Sequence, residues 1–285
     1  MHARELLVGA GGACLGLLEA GPVDAPPLVL LHGWAQAAEV WRLQLLGALA
    51  ASRRVVAVDL RGHGRSWIPD GGYDDPRAWA DELRAVLEDL GRPAVVAGWS
   101  YGGVVITDYL RTFGDVLLAG SVLVGAITEI GRGRKGGRVG TVMRAALPDA
   151  NSDDLAVALP AVVGFVREMT AVPLSGRWTQ LLVGNALRVP PPVRAALFDR
   201  TVDSAEVLAT CTVPTLVLHG AEDPVVDISA AEYNAGAIPG ARLHWMDGVG
   251  HLPFVERPAE FDAVVSEFAA DCFATRGTSS ARGGR

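Results

Sequence analysis

The sequence of 285 residues predicts an α/β fold, with a mostly parallel, doubly wound sheet and an inserted helical segment. Strand patterns alternate with helical patterns up to a buried strand at 121–125, as is typical of parallel βαβ units. The alternation stops at 126 and resumes at Val213. Half of the residues are hydrophobic, which suits a sheet covered on both faces. We therefore expect a core of 1–125 and 205–275, an insertion of 126–204 and a disordered tail of 276–285.

The remaining elements follow from local patterns. Met1 to Leu18 carries early charges and several glycines, so we interpret it as an opening β-hairpin rather than a signal peptide. A further helix is expected to begin near Pro258. No apolar run reaches the roughly 18 residues of a transmembrane helix. Three helices are predicted within the insertion, over Asp153–Leu159, Ala161–Thr170 and Gly176–Leu187.

The segment Gly98-Trp99-Ser100-Tyr101-Gly102 is the most informative part of the chain. It follows a buried strand and precedes a helical pattern, which is the context of a nucleophile elbow. The small flanking residues let strand and helix approach closely. Ser100 is therefore the candidate nucleophile, whereas an ordinary glycine turn is the alternative.

A serine nucleophile needs a base and an acid that orients the base. Asp223 lies just beyond a strand that ends at Gly220, and His251 lies in the loop after the next strand. Both positions fall at the edge where parallel sheets gather their active groups. Glu222 and Asp227 remain alternative acids.

Four motifs together resemble the α/β-hydrolase family: His32-Gly33-Trp34, the run 59–66, the Ser100 elbow, and the paired Asp223 and His251 loops. The resemblance implies an α/β-hydrolase fold, a helical cap over 126–204 and a Ser100–His251–Asp223 triad. It also implies an oxyanion hole formed by the backbone N–H groups of Trp34 and Tyr101. In the same family His32, His63, Asp59 and Arg61 brace loops.

The expected activity is that of a serine hydrolase cleaving a carboxylic ester with a small to medium apolar acyl group. The motifs resemble most the branch of esterases and cofactor-free haloperoxidases, or perhydrolases. In that branch a proline commonly follows the oxyanion-loop aromatic residue, but Ala35 stands here. We therefore expect weak or absent peracid formation, which a proline at this position would raise if the loop tolerates it.

Other activities use the same triad, so lactonase, thioesterase and carbon–carbon bond hydrolase remain alternatives. Epoxide hydrolases and haloalkane dehalogenases place Asp where Ser100 stands and are disfavoured. A non-catalytic ligand receptor on the same scaffold is the alternative from a different class.

Substrate contacts are predicted for Trp34, Tyr101 and Trp178, while Phe165 and Met169 fit either a pocket wall or core packing. The run 131–138 is interpreted as a mobile, solvated loop or as a basic lip for an anionic substrate.

The expected partner is a small-molecule, ester-like substrate. The net charge of −7 disfavours nucleic acid. The three scattered cysteines suggest neither a metal site nor a disulfide framework, and the cytoplasm is the expected location. Neither a cofactor nor a membrane is expected, and a homo-oligomer is left open.

Overall fold

An eight-stranded sheet forms the centre of the computed structural model, which describes residues 1–8 and 13–282, with side chains up to 275. The strands are β1 His2–Val8, β2 Ala13–Ala20, β3 Pro27–Leu31, β4 Arg54–Val58, β5 Ala94–Trp99, β6 Leu118–Val124, β7 Thr215–Gly220 and β8 Arg242–Met246. Their order across the sheet is β1-β2-β4-β3-β5-β6-β7-β8. The β1/β2 and β2/β4 pairs are antiparallel and the other neighbouring pairs are parallel, so the predicted mostly parallel sheet is confirmed.

The predicted opening hairpin is also confirmed. Strands β1 and β2 pair in a register that places His2 opposite Glu19 and Val8 opposite Ala13. Residues 9–12, which connect the two strands, lie outside the described residues. This hairpin adds an antiparallel edge to a parallel sheet, a common combination in α/β proteins.

Helices cover the sheet, and its central strands are buried along their whole length. The helices are α1 Arg42–Leu46, α2 Ala48–Ser52, α3 Pro76–Asp89, α4 Gly102–Phe113, α5 Thr141–Ala150, α6 Leu155–Glu168, α7 Gly176–Arg188, α8 Pro191–Ala196, α9 Ala205–Ala209, α10 Ile228–Ala237, α11 Pro253–Glu256 and α12 Pro258–Arg282. Short 3₁₀ turns occupy Ala38–Trp41 and Lys135–Gly137. The carboxyl ends of the parallel strands are therefore the edge at which loops gather.

The cap segment, residues 126–204, contains α5 to α8. Helix α7 matches the helix predicted at Gly176–Leu187. The separate helices predicted at Asp153–Leu159 and Ala161–Thr170 are wrong, because α6 continues through Pro160. Proline removes one hydrogen bond to the preceding turn. The half of α6 that follows buries Val162, Phe165 and Val166, and this packing outweighs that loss. Helix α5, which contains Pro148, was not predicted.

Helix α12 begins at Pro258, where a helix was predicted. The predicted tail, 276–285, starts inside this helix, whose backbone continues to Arg282, and 283–285 lie outside the described residues. Within the described part of the chain, none of the helices has the length and apolar character needed to cross a membrane.

Candidate active site

Ser100 lies at the sharp turn between β5 and α4. Its φ angle is +54°, in the left-handed region that is strained for a residue with a side chain. The backbone on both sides holds this conformation: its N–H donates to the Val124 carbonyl at 3.0 Å, and its carbonyl accepts from Gly103 at 3.0 Å. A Cβ atom at Gly98 would lie 2.5 Å from the Gly102 carbonyl oxygen, so strand and helix meet only with glycine there. The half-buried Ser100 side chain thus stands clear of the sheet.

Asp223 and His251 are brought together from the loops after β7 and β8. His251 Nδ1 donates to Asp223 Oδ2 at 2.7 Å, and both side chains are almost fully buried. Asp223 Oδ1 accepts from the backbone N–H groups of Val225, at 2.8 Å, and Val226, at 3.0 Å. These donors fix the carboxylate. In the resulting tautomer of His251, Nε2 carries the lone pair that can accept a proton.

Two glycines, Gly33 and Gly125, allow close packing around Ser100 and around the Asp223–His251 pair because they lack side chains. A Cβ atom at Gly33 would lie 2.8 Å from Ser100 Cβ, so the loop after β3 packs directly on the nucleophile. A Cβ atom at Gly125, where φ is +48°, would lie 3.2 Å from Asp223 Oδ2 and 3.3 Å from His251 Nδ1. The missing side chain of Gly125 leaves the space that the Asp223–His251 pair occupies.

The chain is similar to known proteins. A family model described as the alpha/beta hydrolase family matches residues 28–264. The chain belongs to this family. The esterase RhEst1 from a Rhodococcus species is a similar solved structure, with 46% identity, a TM-score of 0.90, and coverage of 95% of this chain and 99% of that one.

Two further relatives have names that state an enzymatic activity. A non-heme chloroperoxidase from Burkholderia pyrrocinia is 35% identical over 224 residues, covering 74% of this chain and 79% of the relative. The bifunctional esterase/perhydrolase DCH from Acinetobacter calcoaceticus is 33% identical over 255 residues, covering 83% and 89%. The predicted fold and its esterase and haloperoxidase-like branch are thereby confirmed.

In this hydrolase, a buried histidine and an aspartate brace the loop that carries Trp34. His32 Nε2 accepts from the Leu60 N–H at 3.0 Å, which leaves the proton on Nδ1, and Nδ1 donates to the Gly33 carbonyl at 2.8 Å. Asp59 Oδ1 accepts from the Ala38 N–H at 2.6 Å. The loops after β3 and β4 are thus joined.

The turn after Trp34 has a backbone conformation at Ala35 that differs from the one proline requires. The N–H of Gln36 donates to the Gly33 carbonyl at 3.3 Å, and Ala35 in this turn has a φ angle of +52°. Proline is confined to φ near −65°. The conformation at Ala35 is therefore one that proline cannot adopt, and the rise in peracid formation expected if the loop tolerates proline stays a prediction.

The side chains of Trp34 and Tyr101 lie between the core and the cap segment. The Trp34 indole Nε1 donates to the Arg194 carbonyl at 2.9 Å, and its ring meets Phe165 edge-on at 5.6 Å between centroids. Tyr101 is fully buried, and its hydroxyl accepts from Arg200 at 3.3 Å. Burial raises the pKa of Tyr101 above its ordinary value of 10, so this hydroxyl stays neutral. Phe165 and Met169 are also buried, which favours core packing over a pocket wall.

Trp178 lies in the first turn of α7, where its N–H donates to Ser175 Oγ at 3.4 Å. Its ring is half-buried, and its role in substrate binding stays a prediction. The sequence analysis did not single out Phe198 and Arg200. Both contact Tyr101. The Phe198 ring lies 5.9 Å from that of Tyr101 and 6.5 Å from that of Trp34.

A cavity of about 760 Å³ is lined entirely by residues of the cap segment, and Ser100, Asp223 and His251 are not among them. It reaches Ile127, whose N–H donates to the Ser100 carbonyl at 3.2 Å, and Phe198, which contacts Tyr101. The other apolar walls are Ile130, Val139, Met143, Leu147 and Pro148, and the polar ones include Glu129, Arg144 and Arg200. Within the described residues, no group of three or more His, Cys, Asp or Glu side chains is arranged to hold a metal ion.

The basic run 131–138 is anchored, unlike the mobile loop expected. Gly136 is buried; its N–H donates to Glu129 Oε2 at 2.9 Å and its carbonyl accepts from Thr128 at 2.9 Å. Arg134 pairs with Asp203 at 2.5 Å. Three basic residues of the run are exposed: Arg132, Lys135 and Arg138. Anion binding by these residues stays a prediction.

Proposed function

We propose that this protein is a serine hydrolase that cleaves carboxylic esters, with Ser100, His251 and Asp223 as its catalytic triad. The observation that carries the proposal is the 2.7 Å hydrogen bond from His251 Nδ1 to Asp223 Oδ2, together with a serine held at a φ angle of +54°. The names of the related esterases support the same activity.

In the proposed mechanism, Ser100 Oγ attacks the ester carbonyl carbon while His251 Nε2 takes the hydroxyl proton. The negative oxygen of the tetrahedral intermediate accepts hydrogen bonds from the N–H groups of Trp34 and Tyr101. His251 then gives the proton to the alcohol oxygen as its bond to the acyl carbon breaks. Water attacks the acyl-enzyme, His251 accepts a proton from that water, and the acid leaves as Ser100 regains its proton. Asp223 keeps the imidazole oriented and balances its transient charge.

The substrate is proposed to be a small molecule that carries an apolar acyl group of small to medium size. The cavity of about 760 Å³ supports this choice, because Ile130, Met143 and Leu147 form part of its wall and its Phe198 ring also contacts Tyr101. The net charge of −7 and the scattered cysteines support a partner other than nucleic acid and a cytoplasmic location.

The proposal is tested with chromogenic esters of increasing acyl length and a serine-directed fluorophosphonate. Ser100→Ala should reduce turnover by about 10⁴-fold or more and abolish labelling. The matched variant is Ser152→Ala, which removes a hydroxyl that accepts from the Asp154 N–H far from Ser100 in the chain. Substantial turnover in Ser100→Ala would refute the triad, whereas wild-type protein that binds esters without cleaving them would indicate a receptor.

The cavity is tested by filling it. Leu147→Trp should lower kcat/KM for long acyl chains and spare acetate esters, since its side chain lines the cavity. Leu159→Trp is the control, because Leu159 is 38% exposed on α6. Equal effects of Leu147→Trp on all chain lengths would place the acyl group elsewhere.

Perhydrolysis is the second candidate, because one relative is described as an esterase and perhydrolase. Hydrogen peroxide would then replace water as the attacker of the acyl-enzyme and release a peracid. Ala35 stands where the perhydrolase branch commonly has proline, so we expect little peracid from acetate and hydrogen peroxide. Lactones and thioesters belong in the same substrate panel.

A further inference from the structure

The loop that carries His251 is bound to the cap segment through the backbone. The His251 N–H donates to the Met169 carbonyl, just after α6, at 2.8 Å. Gly250 packs against the same turn, because a Cβ atom there would lie 2.7 Å from the Ala171 nitrogen and 2.8 Å from the Thr170 Cα. The cap segment and the candidate base therefore touch without an intervening side chain.

Glu256, in α11, completes this junction with its carboxylate. It accepts from the two residues that flank His251: the Gly250 N–H lies 3.1 Å from both carboxylate oxygens, and the Leu252 N–H lies 3.1 Å from Oε1. It also accepts from the Ala171 N–H at 2.8 Å. One carboxylate thus holds both sides of the histidine and the cap turn together. The sequence did not single out Glu256.

Helix α6 extends this connection to the other half of the candidate site. Phe165 contacts the Trp34 ring, and Met169 follows on the next turn and accepts from His251. A shift of α6 would consequently move the oxyanion loop and the base together. The charged acceptor makes the junction strong, since hydrogen bonds to an ionised group are shorter and stronger than neutral ones.

We propose that Glu256 is a positioning residue, which aligns His251 for proton transfer and couples that alignment to the cap segment. The inference rests on the proposed triad for its effect on rate, but the junction itself is independent of it. Displacements of about 1 Å at a reacting group cost roughly 100-fold in rate. Glu256 acts through His251 and is not itself expected to touch the substrate.

The test replaces Glu256 by glutamine, which keeps the length but turns one acceptor oxygen into a donor facing backbone N–H groups. We expect kcat for esters and the rate of fluorophosphonate labelling to fall together by about 10- to 100-fold, with KM changed by less than about twofold. The control is Glu260→Gln, which alters a half-exposed carboxylate one turn further along the chain and should change neither value. A folded Glu256→Gln protein with wild-type kcat would overturn the inference.

Amide hydrogen exchange provides a measurement that does not depend on enzymatic activity. In the wild-type protein the amides of Ala171, Gly250 and Leu252 should be protected, and in Glu256→Gln all three should exchange faster than in Glu260→Gln. If these amides exchange at the rates of an unstructured peptide in the wild-type protein, the junction does not exist. Absence of ester turnover in a wild-type protein with protected amides would instead refute the proposed function and leave the junction in place.

Discussion

Asp223 binds His251 through one carboxylate oxygen and its own loop through the other. Oδ2 accepts from His251 Nδ1 at 2.7 Å, while Oδ1 accepts from Val225 and Val226. His219, buried on β7, places Nε2 3.3 Å from the same Oδ2. Hydrogen bonds to both oxygens therefore hold the carboxylate in one orientation.

Asp223→Asn should reduce kcat by about 10⁴-fold, because an amide stabilises neither the required histidine tautomer nor the imidazolium. The matched variant is Asp227→Asn. Asp227 caps α10 by accepting from the Ser229 N–H, and asparagine caps a helix about as well, so this variant should change stability by less than about 1 kcal/mol and cost little activity. Glu222→Gln should also leave turnover nearly unchanged. If Asp227→Asn or Glu222→Gln is the most damaging of the three, the acid is misassigned.

Gly125→Ala should damage activity more than stability. The φ angle of +48° costs a side chain about 1 kcal/mol, and the new methyl group would lie 3.2 Å from Asp223 Oδ2. We expect kcat to fall at least about tenfold. Gly184→Ala is the control, because nothing lies within 4 Å of the added atom and α7 gains a better helix former. Steady-state kinetics and urea unfolding of both variants separate the two effects.

Ala35→Pro should unfold or distort the loop after β3 that carries Trp34. The observed φ angle of +52° is incompatible with the pyrrolidine ring, so we expect a loss of about 3 kcal/mol or more and almost complete loss of ester turnover. Ala35→Gly permits the same φ angle and should stay within about 1 kcal/mol of the wild-type stability. A gain in peracid formation by Ala35→Pro would show that the loop can adopt a second conformation.

Local patterns explain why much of the fold and site was predictable. The elbow at Ser100 depends on residues within a few positions of it, and Asp223 and His251 each follow a recognisable strand. The features that the sequence analysis missed are contacts between residues that lie far apart in the chain. Arg200 pairs with Asp108, 92 residues away, and Glu256 binds Ala171, 85 residues away. No periodicity connects such residues. The prediction divided helix α6 at Pro160 because the low helix propensity of proline is a local property. The packing of Phe165, which keeps the helix continuous, depends on distant residues.

His32 and His63 make stability depend on pH in a direction that follows from their burial. Burial lowers the pKa of His32 to about 4 and, together with the nearby His32, lowers the pKa of His63 to about 3. In the unfolded chain a histidine titrates near 6.5. Their stabilising contribution is therefore fully present above about pH 6.5 and is lost as the pH falls toward the folded-state values, because the unfolded chain binds protons that the folded protein excludes.

Replacement of His63 by glutamine should flatten this dependence. Each proton that only the unfolded chain binds makes the free energy of unfolding fall by about 1.4 kcal/mol per unit decrease in pH. Between about pH 6 and 4.5, the slope for His63→Gln should therefore be smaller than the wild-type slope by roughly 1.4 kcal/mol per pH unit. The variant should nevertheless be less stable at pH 7.5, since His63 Nδ1 lies 2.8 Å from the Arg61 carbonyl in a buried loop. His2→Gln is the control: this side chain is 62% exposed at the start of β1, so its replacement should leave the slope unchanged. Urea unfolding at half-unit pH steps measures all three proteins, and equal slopes for wild type and His63→Gln would mean that His63 takes up its proton without unfolding the chain.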